Sequence, residues 1–70
     1  MGMSLRAARV NAGLTQKEAA KALNIGKNTI ANYEKYRTKP NIDTAKKMSE
    51  LYGVSIDDIF FTEQLCLKHN

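Results

Sequence analysis

Two helix-forming stretches only about three residues apart constrain this chain more than any other feature. Thr15 and Glu18 form a Thr-x-x-Glu capping box, in which each side chain satisfies an orphan amide at the start of a helix. Ala19, Ala20, Ala22 and Leu23 continue that helix with good helix formers. Asn24, which tolerates the left-handed conformation of a tight turn, stops it. A second helical pattern resumes at Gly26 or Lys27 and runs to Lys35. So short a connection makes the two helices cross steeply and pack closely. The crossing needs a small side chain where the backbones touch, and Ala20 supplies one, with Ile25 plugging the gap beneath. These are the mechanical requirements of a helix-turn-helix, whose second helix can enter the major groove of a duplex.

The rest of the chain must complete the fold with little material. Seventy residues make one domain, predicted to span 1–70 with a core of about 4–61 and a tail of 62–70. A chain of this size buries only about 60% of its unfolded surface, so every helix has to contribute apolar area. No run of strict apolar alternation points to a strand, and the expected class is all-α with five helices. The first runs from Ser4, a potential cap, to Ala12, with Leu5, Ala8 and Ala12 on one face and Gly13 as its stop. The fourth runs from Asn41 or Ile42 to Tyr52, with Ile42, Ala45, Met48 and Tyr52 inward and Gly53 at its end. Ser55 opens a short fifth helix whose first turn holds Asp57 and Asp58, where the helix dipole favours acids. Ile59 and Phe60 are expected to close the core.

Charge is unevenly placed. The net value is +4, but residues 1–40 carry eight Lys or Arg against two acids and residues 41–70 carry three against five. A basic front half and an acidic back half fit a surface that meets a polyanion, although a solvated Lys-rich surface reads the same way. The third helix sharpens the choice. With Ile30 inward, about 100° per residue turns Lys27, Asn28, Ala31, Asn32 and Lys35 outward. Asn can hold the N6 and N7 edge of adenine, and Lys the O6 and N7 edge of guanine. Gln16 and Lys17, at the start of the second helix, are placed to clamp a phosphate. The loop Lys35-Tyr36-Arg37-Thr38-Lys39-Pro40 is basic and could grip the backbone beside the groove. Two charges fall on faces that should be buried, Arg9 and Glu34. Each needs an answering charge, which predicts a structural salt bridge between the first and third helices.

Other chemistry finds no support. Cys66 is the single cysteine, so no intrachain disulfide can form and a reducing compartment is expected. His69 is the single histidine, and neither residue has partners at metal-ligand spacing, so no metal, cofactor, small-molecule ligand or catalytic function is expected. No phosphate-binding loop occurs. No apolar run approaches the 18 residues needed to span a bilayer, and the start has no signal-peptide core. Met-Gly opens the chain, but Arg6 breaks the myristoylation pattern. The expected location is the cytoplasm, at the nucleoid. A rival reading is a protein-interaction module on the same fold, acting through its acidic, C-terminal surface. Phe61, Leu65 and Leu67 mark a candidate surface for a weak homodimer, since one small domain reads only about half a DNA site.

The run from Leu5 to Phe60, about 80% of the chain, resembles the phage-repressor, or Xre (Cro/C1-type), family. The resemblance rests on Gly13-Leu14-Thr15-Gln16, Ala20, Thr29-Ile30, Tyr33-Glu34, Pro40 and Gly53-Val54-Ser55. It implies a compact five-helix, lambda-repressor-like domain that binds double-stranded DNA and regulates transcription, most often as a repressor. It implies base readout from Lys27, Asn28 and Asn32. It implies phosphate contacts from Gln16, Thr29, Lys35 and Lys39, which join Lys17 and Arg37 from the residue reading, and it supports the Arg9–Glu34 bridge. Three positions depart from the family pattern. Asn24 replaces a common Gly, and Gly26 replaces the usual capping Ser or Thr. Tyr36 stands where many relatives have Gly. Because Tyr disfavours positive φ, the loop after the third helix is expected to leave differently or to extend the helix.

Overall fold

Residues 3–59 are described by a computed structural model of the chain. Five helices follow in order: α1 (Leu5–Asn11), α2 (Gln16–Leu23), α3 (Lys27–Glu34), α4 (Ile42–Tyr52) and α5 (Ile56–Ile59). Their starts follow from local chemistry. The Ser4 hydroxyl accepts from the Ala7 amide at 3.0 Å. Thr15 and Glu18 form the complete capping box at 3.1 and 2.9 Å. The Asn41 side chain accepts from the Thr44 amide at 2.8 Å. Gly26 stands at the α3 N-cap and, having no side chain, gives none of this help.

The ends of α1 to α4 share one device. Gly13, Asn24, Tyr36 and Gly53 have φ of 78°, 57°, 57° and 70°, and each turns the chain out of its helix through the left-handed region. At α3 the Arg37 amide donates to the Asn32 carbonyl and the Tyr36 amide to that of Tyr33, at 2.9 and 3.0 Å. That pair of bonds is the Schellman arrangement, normally built on Gly. The chain therefore leaves α3 as a Gly-ended helix would, contrary to the expectation of a different exit or a longer helix. The physical reason is that hydrogen bonding of the last turn and an anchor for the tyrosine hydroxyl, described below, outweigh the strain.

Leu5, Ala8, Ala19, Ala20, Leu23, Ile30, Ala45, Met48, Tyr52 and Ile59 form one apolar cluster that draws on all five helices. α4 occupies its middle, touching α1, α2 and α5, while α2 packs on α3. Ala20 is buried and Ile25 packs at the edge of the cluster, as the short connection between α2 and α3 requires. Two residues expected to face inward are exposed. Ala12 caps the end of α1 and lies beyond its packed face. Ile42 is the first residue of α4, on the same face as Ala45 but one turn earlier, outside the cluster, and it is 39% exposed. Pro40, two residues before it, is fully buried. At the other end, the Met3 amide donates to the Asp58 carbonyl, tying the entry of α1 to α5. Phe60 and the tail, with Phe61, Leu65 and Leu67, lie outside the described residues.

Candidate nucleic-acid interface

A buried ionic node holds α3 in place. Arg9 Nε donates to Glu34 Oε2 at 2.6 Å and Nη2 to Oε1 at 3.3 Å, with the two side chains only 9% and 5% exposed. Arg9 Nη1 donates to the Leu14 carbonyl at 2.8 Å. Gln16 Nε2 donates to Glu34 Oε1 at 3.1 Å. One carboxylate thus ties α1, the start of α2 and the end of α3 together. The Glu34 hydrogen bond raises the Arg9 pKa above its ordinary value, against the opposing effect of burial. Geometry of this quality is what lets two charges sit away from water, since an unanswered one would cost several kcal/mol.

Ile30 is turned inward and Tyr33 packs against the edge of the core, while the other residues of α3 lie at the surface to differing degrees. Lys27, Asn28 and Lys35 are exposed, and Thr29, Ala31 and Asn32 are half-buried. Only Ile30 is buried outright in this helix. The small Ala31 lies between Asn28 and Asn32 and keeps the surface low. Arg37, Thr38 and Lys39 follow on an exposed loop. At the start of α2, Lys17 is exposed and the Glu18 amide is taken by Thr15. Gln16 is half-buried, and its amide group is engaged with Glu34 instead of projecting freely. The face combines amide side chains that can pair with base edges and cations that can meet phosphates.

Three contacts here carry no sequence signal. The Gln16 bond to Glu34 depends on how α2 and α3 meet, and the Arg9 bond to the Leu14 carbonyl on the path of the turn that follows α1. The Tyr36 hydroxyl accepts from the Leu5 amide at 3.2 Å across 31 residues, and no local pattern encodes that reach. Among the described residues, no group of three or more His, Cys, Asp or Glu could hold a metal ion. No helix among them is long and apolar enough to cross a membrane.

Comparison with known proteins places this geometry. Residues 5–59 match the helix-turn-helix family. The chain is 45% identical over 69 residues to the HTH-type transcriptional regulator ImmR of Bacillus subtilis (strain 168), which covers 99% of this chain and 54% of ImmR. It is 38% identical over 55 residues to the cryptic phage CTXphi transcriptional repressor RstR of Vibrio cholerae, covering 79% of this chain and 50% of RstR. It is 40% identical over 50 residues to an uncharacterized HTH-type transcriptional regulator of Methanocaldococcus jannaschii, covering 71% and 76%. The chain spans about half the length of ImmR and of RstR. Its match from α1 to α5, its all-helical core and its relatives agree: the chain belongs to the phage-repressor-like, Xre (Cro/C1-type) helix-turn-helix family of transcriptional regulators.

Proposed function

We propose that the chain is a cytoplasmic, sequence-specific repressor that binds double-stranded DNA at the nucleoid with α3 in the major groove. The observation that carries this reading is the division of α3. One side is buried through Ile30 and pinned through Glu34, and the other presents Lys27, Asn28 and Asn32. Those three read base edges. Lys17, Lys35, Arg37 and Lys39 neutralise phosphates, with Thr29 and Gln16 hydrogen-bonding to the backbone from the flanks of the helix. Gln16 retains a carbonyl oxygen and a second N–H while bonded to Glu34, but only the N–H can donate to a phosphate. The name of RstR as a repressor supports repression as the mode of action. A weak homodimer through α5 and the tail residues Phe61, Leu65 and Leu67 reads two half-sites about 34 Å apart.

The test is selection of bound sequences from random duplex DNA, followed by salt titration of the enriched sites. A palindrome with a steep salt slope is expected. Enrichment of one half-site would keep the DNA role and remove the dimer. Salt-dependent binding without a consensus would make the chain a nonspecific DNA binder. Absence of binding would reject the reading in favour of a protein-interaction module.

A further inference from the structure

Four helices end on a left-handed residue, and three of the four use Gly or Asn, which accept that conformation readily. The fourth uses Tyr36 at φ 57°. For an aromatic residue this is an outlier, and outliers held by their surroundings cluster at functional sites. The last turn of α3 does not need the ring, because the bonds from Arg37 and Tyr36 to the Asn32 and Tyr33 carbonyls are made by backbone alone. The side chain contributes something else. Its hydroxyl accepts the Leu5 amide, the first helical amide of α1. Ser4, the α1 cap, spends its own side chain on Ala7, so the Leu5 amide depends on Tyr36. The ring thus spans from the exit of α3 to the entry of α1. On both sides of it stand the exposed cations Lys35, Arg37 and Lys39.

We propose that Tyr36 is a positioning residue, a latch that fixes the basic loop 35–39 against α1 so that its cations meet the phosphate backbone already ordered. The proposal rests on the DNA-binding reading and adds the reason for the strained tyrosine. A loop held in advance loses less freedom on binding and so binds more tightly for the same contacts. Tyr36 acts through Arg37 and Lys39, and its effect therefore falls on sequence-independent affinity.

The test compares the full chain with its Tyr36→Phe and Tyr36→Gly variants on a random-sequence duplex of about 20 base pairs, titrated with salt. Phe keeps the ring and the strain but removes the acceptor. Gly removes acceptor and strain together. Both variants are expected to bind about 3- to 10-fold more weakly with an unchanged salt slope, because the same phosphates are neutralised by a loop that must first be ordered. The Leu5 amide is expected to exchange with solvent faster in both. Tyr36→Gly is expected to melt no lower than wild type, so affinity and stability part company, which a merely structural role would not produce. A Tyr36→Gly variant that binds with wild-type affinity would overturn the latch, and a shallower slope would mean lost phosphate contacts in place of lost pre-ordering. So would unchanged Leu5 exchange in Tyr36→Phe. If the wild-type chain itself fails to bind the duplex at low salt, the DNA reading falls and takes the latch's role with it.

Discussion

Two buried polar side chains in this small core are satisfied very differently. Glu34 receives three hydrogen bonds, two from Arg9 and one from Gln16. The Tyr52 hydroxyl is buried without a hydrogen-bond partner among the described residues. Breaking the ionic pair strands a charge, so Glu34→Ala is expected to cost about 3–5 kcal/mol, most of what a domain this size has, and to lower Tm steeply. Replacing both partners, Arg9→Met with Glu34→Leu, is expected to recover much of that loss in the same melting experiment. Tyr52 behaves in the opposite sense. Tyr52→Phe removes an unsatisfied hydroxyl and is expected to stabilise the fold by about 1 kcal/mol in urea titration. Burial, with a smaller contribution from the nearby Glu34 charge, pushes the Tyr52 phenol from 10.0 up to about 12. Its folded value lies above the unfolded one, so its contribution is intact below pH 10 and is lost as pH rises toward 12. Stability measured across that range is expected to fall in wild type and to fall less in Tyr52→Phe. The sequence places Arg9 and Glu34 on buried faces because helical periodicity is local. It gives no sign of the orphan hydroxyl, because whether a donor meets an acceptor depends on which helices surround it.

At the scale of the element, starts are more legible than ends. Ser4, Thr15 and Asn41 cap through side chains a few residues away, and such contacts are written in adjacent sequence. Gly26 is the exception, and its backbone is ordinary, with φ −77°. A Cβ placed there would meet only Thr29 Oγ1 at 3.6 Å, an ordinary contact. Gly26→Ser is therefore expected to supply the missing α3 cap and raise stability by about 0.5 kcal/mol in denaturant unfolding. The end of α3 departs from its sequence expectation for the converse reason. Tyr is a poor left-handed residue on intrinsic grounds, and the Leu5 amide that rewards it lies 31 residues away. The same limit explains Ile42. Periodicity gives its face, but its exposure depends on where the apolar cluster stops.

For the molecule as a whole, the proposed DNA-binding function assigns separable contributions to the concentration of positive charge in residues 1–40 and to the outward face of α3. On a selected site, Asn28→Ala is expected to cost about 1–3 kcal/mol and to relax preference at one base position. Lys39→Ala is expected to weaken binding equally on every sequence and to lower the salt slope by about one. Competition titrations against matched and scrambled duplexes distinguish the two patterns. The all-helical class, the α2–turn–α3 unit and the identity of the outward residues are all written in the order of the amino acids. Each of these depends on periodicity, capping and turn length, which act over a few residues. Two features have no such local origin: Gln16 brings the start of α2 onto the Arg9–Glu34 pair that the sequence predicts, and Tyr36 reaches back to α1. Those contacts join residues far apart in the chain, and only the packing of the helices brings them within hydrogen-bonding distance.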